Sequence, residues 1–212
     1  MRIASSPAVR ITAGLLLAGL LGIVGYQVLR RRSSQAPDAL LKQADDLSWL
    51  NSWIQAEPLY HRAELEYLQR HEFSKALYAQ VSQIPAQSES STTFPAQIAL
   101  LRQDLNLPQA RDPETRLRIL TILGMLETNY DASMARQTWS EVEQLAIRQH
   151  HFLLASRAVG EQGIAAFLLG DIATAKKDVV RAWMVAKVAD PAAVTAAESA
   201  PDTLTGCSEV HC

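Results

Sequence analysis

The sequence predicts an all-α protein built from paired antiparallel helices. One observation is a repeated spacing of small residues, which are separated by twelve and then seven positions both in Ala44, Ala56 and Ala63 and in Gly163, Ala175 and Ala182. A second observation is that apolar residues around both trios recur at three- and four-residue steps, as on one face of a helix. Small residues let two helices approach closely, and larger apolar neighbours fill the space beside them.

Composition and charge limit the classes of function. The chain has 212 residues, 48% of them hydrophobic, which is enough for one medium-sized domain and an appendage. Five of its 20 basic residues precede position 33, and all 22 acidic residues follow it. The later part therefore carries 15 basic and 22 acidic residues, a net charge of −7. This balance argues against nucleic-acid binding, which needs a basic face.

An apolar segment near the N-terminus predicts a single transmembrane helix. Residues 11–29 carry no charge and lie between Arg10 and three arginines at 30–32. As a helix this segment is roughly 28 Å long, close to the ~30 Å hydrocarbon core of a bilayer. A cleaved signal peptide is disfavoured because the run is long and arginines follow it directly. The predicted order is a tail over 1–10, the membrane helix over 11–29 and a basic and polar linker over 30–37.

The pattern of apolar residues predicts four helix pairs in a domain over residues 38–189. The first two pairs are predicted over residues 38–51 and 54–70, and over 72–84 and 95–105. In the first pair, Trp49 and Trp53 flank the turn and are expected to brace it by packing, with stacking on a ligand as the alternative. In the second pair, a long loop over residues 85–93 is rich in Ser, Thr and Gln.

The third and fourth pairs are marked by their turns. The third begins at Pro113, a helix-start signal, and turns at residues 129–131. Gly124 and Ala135 are eleven positions apart, one fewer than in the matched trios, so this turn must differ locally. The fourth pair covers 156–189 and turns at Gly170, where glycine supplies a permissive backbone.

The last helix is predicted to lack a cap. Residues 190–212 have little periodic apolar content and are predicted to form a flexible tail. They offer little to cover the apolar side of the preceding helix, so we expect an exposed apolar strip around Trp183. Such a strip predicts self-association or a surface for another partner, or it marks an array cut short from a longer one.

The helix pairs resemble a known repeat family. Segments 37–70 and 156–189 resemble the tetratricopeptide repeat (TPR), a helix-turn-helix unit of about 34 residues, whereas 71–107 and 114–150 resemble it loosely. The resemblance implies a short right-handed α-solenoid of about four helix pairs, with a concave groove lined by the first helix of each pair. Such grooves bind a peptide or helix of another protein and require no cofactor. The groove positions by spacing are Asp38, Asp45, Arg118, Thr121, Arg157 and Ile164.

One subgroup of the family clamps the carboxylate at the end of chaperones with Lys and Asn. The corresponding positions here hold Leu41 and Asp45 in the first repeat, and Gly160 and Ile164 in the fourth, so chaperone-tail binding is not expected.

Two functions follow from the resemblance. The favoured hypothesis is a single-pass, membrane-anchored adaptor whose groove holds a protein partner near the bilayer. Two arginines precede the membrane segment and three follow it, which favours a cytoplasmic domain at the cell membrane. The alternative is a truncated input or sensory region, since residues 53–63 are similar to repeat arrays in larger bacterial signalling proteins.

The sequence does not predict an enzyme. It contains no phosphate loop, dinucleotide fingerprint, zinc-protease motif or nucleophile elbow. His61 and Glu64 form one fragment of a bundle metal site, which needs repeated Glu and Glu-x-x-His sets, so a surface pair is preferred. Cys207, His211 and Cys212 supply three possible zinc ligands, where a structural site needs four, and the preferred interpretation is a frayed tail.

Overall fold

The computed structural model describes residues 36–88 and 93–189. These two stretches are all-α and contain no strand, which confirms the all-α part of the predicted fold class for them. The helices are α1 (Pro37–Trp49), α2 (Trp53–Gln69), α3 (Phe73–Val81), α4 (Ile84–Gln87), α5 (Phe94–Asp104), α6 (Pro113–Thr128), α7 (Ala132–Arg148), α8 (Phe152–Leu168) and α9 (Ile172–Ala189). A 3-10 turn, Pro108–Arg111, lies between α5 and α6.

Several predicted segments lie outside the described residues. These are the N-terminal tail over 1–10, the membrane helix over 11–29, the linker up to residue 35, and the tail over 190–212 with its cysteines. Among the residues that are described, none of the helices is sufficiently long and apolar to cross a bilayer.

Helices that follow each other in the chain pack against each other. This holds for α1 with α2, α2 with α3, α6 with α7, α7 with α8 and α8 with α9. Helix α5 also packs on α6, which follows it, and one longer-range packing places α3 on α6. Helix α6 therefore connects the first three helices to the last three.

Four of the interhelical turns have the same three-residue geometry. Their middle residues adopt the left-handed conformation, at Asn51 (φ 58°), His71 (φ 59°), His150 (φ 62°) and Gly170 (φ 81°). In each turn the third residue donates its backbone N–H to the carbonyl five positions earlier, and the N···O distance is 2.9 Å in all four. This bond satisfies a carbonyl at the end of the preceding helix.

The turn between α6 and α7 differs, as the shortened spacing of Gly124 and Ala135 predicts. Asn129 has a φ of −90°, and the N–H of Asp131 bonds to the carbonyl of Glu127, four positions earlier, at 2.7 Å. The left-handed residue of the other turns is missing here. The Asp131 carboxylate instead caps α7 by accepting from the N–H groups of residues 133 and 134.

The small residues allow close helix crossings. Ala44, Ala56 and Ala63 are fully buried, and a Cβ added to Gly163 would lie 3.2 Å from the Cβ of Asp178 on α9. At Gly124 an added Cβ would lie only 2.8 Å from the Trp139 ring. Since such a contact is shorter than atoms tolerate, glycine is required where α6 meets α7.

A second internal match becomes visible in the structure. The pairs Glu64–Gln83 and Glu143–Gln162 are both nineteen residues apart, and in each the Gln amide donates to the Glu carboxylate, at 2.7 and 2.8 Å. The rings of His71 and Phe73 meet edge to face at 5.8 Å, as those of His150 and Phe152 do at 5.9 Å. A counterpart of the same residue type lies 79 positions later for each residue of the first set, namely Glu64, His71, Phe73 and Gln83. We therefore call α1–α3 the N-terminal unit and α6–α8 the C-terminal unit.

Three details of the predicted helices are wrong. The helix expected over 72–84 ends at Val81, and the expected loop over 85–93 starts inside α4. The side chains of Ser82 and Gln83 bond to carbonyls of α3, and Pro85 has no N–H with which to continue the hydrogen bonding of α3, so this helix ends before it. The fourth pair begins at Phe152, four residues before its predicted start.

Candidate functional site

A cavity of about 630 Å³ opens on the side formed by α1, α3, α6 and α8. These helices are the first members of the successive pairs. Its lining comprises Asp45, Ser48, Trp49, Tyr78, Glu114, Leu117, Arg118, Thr121, His150, His151, Phe152, Leu153, Leu154, Arg157 and Ala189. The cavity therefore combines apolar and aromatic surface with charges of both signs.

Arg118 forms the floor of the cavity. Its side chain is only 13% exposed and extends from α6 towards the N-terminal unit. It donates hydrogen bonds to the hydroxyl groups of Ser82 at 2.7 Å, Tyr60 at 2.6 Å and Ser48 at 3.1 Å. One guanidinium thereby joins α6 to α1, α2 and the end of α3.

Asp45 balances the charge of Arg118 through two tyrosines. Its Oδ1 accepts from the hydroxyl groups of Tyr60 at 2.7 Å and Tyr78 at 3.0 Å, and lies 3.9 Å from the arginine. Both rings lie 5.3 Å from the guanidinium carbon, within the range of cation–π attraction. Burial raises the pKa of Tyr60 and of Tyr78, so both hydroxyl groups keep their protons and act as donors. The floor is thus a satisfied polar network.

The rim carries groups with looser contacts. Trp49 is half exposed, and the guanidinium of Arg157 lies 5.8 Å from its ring. Arg157 Nε is 3.8 Å from Glu161, a carboxyl whose pKa is raised by burial. Among the other lining residues, His151 Nε2 lies 2.9 Å from Glu114 Oε1. Arg157 and Trp49 together present a cation and an aromatic face to the cavity.

Four of the six groove positions expected from the sequence lie together around the cavity. These are Asp45, Arg118, Thr121 and Arg157. Asp38 is not part of the lining, because its carboxylate accepts from Tyr67 at 2.8 Å and from Lys75 at 2.9 Å. Ile164 is also absent from the lining and is exposed further along α8.

Sequence reasoning missed several lining residues. Trp49 was expected to brace a turn, but half of its surface is exposed and it lines the cavity. Tyr78 and the segment 150–154 were not recognised at all. The signal available for them was the match between residues 71–73 and 150–152, which places a turn and a helix start at the same points in both units.

The described residues hold no group of three or more His, Cys, Asp or Glu side chains arranged to bind a metal ion. His61 Nδ1 lies 3.7 Å from Glu64 Oε2, and the amide of Gln83 donates to that same oxygen at 2.7 Å. The carboxylate is therefore engaged in the contact between α2 and the turn that follows α3.

Comparison with known proteins gives no relative. The chain matches no protein-family model, no curated protein and no solved structure at a significant level. The membership of a repeat family stays a prediction from the spacing of residues.

Proposed function

We propose that the helices form a short TPR-like α-solenoid of about four pairs. The sequential packing of helices, the shared three-residue turn and the placement of α1, α3, α6 and α8 around one cavity support this architecture. The second pair departs from it, because α3 is short and α5 packs on α6. The cavity lies beside this irregular pair, where α3 contributes Tyr78 and leaves room between the two units.

We further propose that the cavity holds a peptide or a helix of a partner protein. The observation that carries this proposal is a cavity of about 630 Å³ whose rim presents Trp49, Leu153 and Arg157 above the hydrogen-bonded floor around Arg118. A ligand pocket is typically apolar, with a few placed polar groups that fix orientation. Apolar side chains of a peptide would pack on the tryptophan and the leucine, and an acidic group would meet Arg157.

The proposed biological role is that of an adaptor near a membrane. The apolar segment 11–29 is predicted to anchor the chain, and the groove would then hold its partner close to the bilayer. In the alternative proposal, a truncated input region, the same helices transmit a signal and bind no peptide of their own.

Selection of peptides from a displayed random library tests the groove. The full chain is purified in mild detergent, and enriched peptides are measured against the wild type and Arg157→Glu. We expect the charge reversal to weaken binding at least tenfold, because a charge-assisted hydrogen bond becomes a repulsion. Arg111→Glu is the charge-matched control, and Ile164→Glu tests an exposed position on α8 that does not line the cavity.

The two proposals give different results in this experiment. Peptides that bind the wild type and both controls, but not Arg157→Glu, support the adaptor. Failure to enrich any peptide, or equal binding to Arg157→Glu, would contradict the adaptor and favour the input region.

A further inference from the structure

The last helix exposes two apolar ridges. Lys176, Val180, Met184 and Val188 follow at steps of four along α9, as do Val179, Trp183 and Lys187 beside them. The apolar members of both ridges are between 42% and 63% exposed. We call these seven residues the α9 outer face. The exposed apolar strip that the sequence predicts around Trp183 is thus present among the described residues, and it consists of two ridges.

The opposite side of α9 is occupied by α8. Ala175 packs closely on Gly163, and Ser156 donates to the carbonyl of Ala182 at 2.9 Å. Val179 follows Gly163 by sixteen positions, as Tyr60 follows Ala44, yet Val179 is 61% exposed, whereas Tyr60 is fully buried. The position of Val179 is therefore covered on α2 and left open on α9.

The charge of α9 is opposite to that of the remaining chain. The helix carries Lys176, Lys177, Arg181 and Lys187, and its only acidic residue is Asp178. Asp178 is buried and lies 3.3 Å from Arg181, which also pairs with Glu143 of α7. The three lysines are thus the charges that accompany the outer face, within a part of the chain after position 33 whose net charge is −7.

We propose that the α9 outer face binds the anionic headgroup surface of a lipid bilayer. A helix with lysines beside exposed valine, methionine and tryptophan has the composition of helices that lie in the membrane interface. Lysine is depleted in the buried centre of protein–protein interfaces, whereas its long side chain reaches headgroups while its stem stays on apolar surface. Lys187 Nζ lies 5.7 Å from the Trp183 ring, which places a cation beside the aromatic group that favours the interface.

A second copy of the chain fits this surface less well. Two copies of α9 meeting through their outer faces would bring four lysines together, Lys176 and Lys187 of each copy, with no acidic side chain on either face. Like charges in an interface cost free energy, whereas anionic lipid supplies the opposite charge. The charge of the outer face therefore favours an anionic lipid surface over a second copy of the chain.

Quenching of Trp183 fluorescence tests the proposal on the full chain. The protein is reconstituted into nanodiscs of brominated phosphatidylcholine, with and without phosphatidylserine, and the contribution of Trp183 is obtained by comparison with Trp183→Phe. We expect quenching of Trp183 that depends on phosphatidylserine. Because each lysine near an anionic surface contributes a similar attraction, Lys176→Glu with Lys177→Glu should lower the ratio of docked to undocked α9 by about 30-fold or more.

Lys42→Glu with Arg111→Glu is the matched control, since it makes the same charge change away from α9. Retained quenching in this control, with unchanged helical circular dichroism in both double variants, supports the proposal. Three results overturn it: no quenching in anionic nanodiscs, equal quenching without phosphatidylserine, or equal loss in the control. Concentration-dependent self-association in lipid-free detergent, abolished by Met184→Glu and without quenching in nanodiscs, would assign the face to a second copy instead.

Discussion

The N-terminal and C-terminal units share one arrangement of helices but differ in what they bury. Tyr60 and Trp139 occupy matched positions 79 residues apart, and both rings are fully buried. The hydroxyl of Tyr60 accepts from Arg118 and donates to Asp45, so its ring ends in the network below the cavity. The indole N–H of Trp139 donates to Thr128 at 3.0 Å. One arrangement thus supports a polar network in one unit and a packed aromatic core in the other.

Because of this difference, we expect the two units to contribute differently to the stability of the fold and to the properties of the cavity. In the C-terminal unit, the apolar cluster around Trp139 runs through α6, α7 and α8 and fixes the wall that carries Arg157. In the N-terminal unit, hydrogen bonds set the position of Arg118 and therefore the shape of the floor. We expect substitutions in the first group to act mainly on folding, and substitutions in the second to act on both folding and peptide binding.

The largest expected effect comes from Trp139→Ala. Removing a fully buried tryptophan leaves a cavity, and the free energy of unfolding should fall by about 3–5 kcal/mol. Urea unfolding of the full chain in mild detergent, followed by circular dichroism, measures the change. Gly124→Ala provides the internal check, because its added Cβ meets the Trp139 ring in the wild type but has room in the Trp139→Ala background. Equal effects of Gly124→Ala on the free energy of unfolding in both backgrounds would show that the contact with the Trp139 ring is not what requires glycine where α6 meets α7.

Arg118→Met should have the next largest effect. It leaves the hydroxyl groups of Ser82, Ser48 and Tyr60 without their donor and removes the charge opposite Asp45. Because Asp45 is still partly exposed, we expect a loss of about 2–3 kcal/mol rather than the larger cost of a fully buried pair. A double-mutant cycle with Tyr60→Phe should give a coupling of about 1 kcal/mol. Additive effects would contradict the direct bond between Arg118 and Tyr60.

The turns offer a smaller test of the match between units. His71 and His150 both have a left-handed backbone, which a β-carbon disfavours. His71→Gly and His150→Gly should each raise the free energy of unfolding by about 0.5–1 kcal/mol, reduced somewhat by the lost ring contacts with Phe73 and Phe152. Thermal unfolding of both variants measures whether the gains agree. A gain at one turn and a loss at the other would show that the two turns carry different strain.

The sequence predicted those features that depend on local pattern. Helix α1 was placed within two residues at each end, and the eleven-residue spacing of Gly124 and Ala135 foretold a distinct turn. Such features depend on residues close together in the chain. The network around Arg118 joins residues 36, 58 and 70 positions away, so no local spacing reveals it.

Asp38 shows why some groove positions could not be predicted. Asp38 and Asp45 are seven positions apart on the same helix, which is about two helical turns. By this spacing alone, both side chains should lie on nearly the same face of α1. What separates them is the partner on the neighbouring helices. Asp38 meets Lys75 and Tyr67 at the edge, whereas Asp45 meets Tyr60 and Tyr78 beside Arg118. Which carboxylate faces a cavity is decided by these tertiary contacts.

The smallest expected effect is the pH dependence that Asp38 adds. Hydrogen bonds from Lys75 and from Tyr67 hold the pKa of Asp38 below its ordinary value of 3.8. The unfolded chain therefore takes up this proton at a higher pH than the folded chain does, so the contribution to stability is present above pH 3.8 and is lost as the pH falls through the lower folded value. Since the carboxylate is largely exposed, we expect Asp38→Asn to cost less than about 1 kcal/mol at neutral pH.

The matched control for this prediction is Asp46→Asn, an exposed carboxylate on the same helix that pairs with Lys42. Urea unfolding at a series of pH values should show that the deficit of Asp38→Asn relative to the wild type shrinks below pH 3.8. A deficit that stays constant down to the lowest pH would mean that Asn disturbs packing at α1 and that the charge of Asp38 is not what Lys75 and Tyr67 recognise. A deficit that disappears on acidification would instead assign the effect to the charge of Asp38 and its bonds to Lys75 and Tyr67.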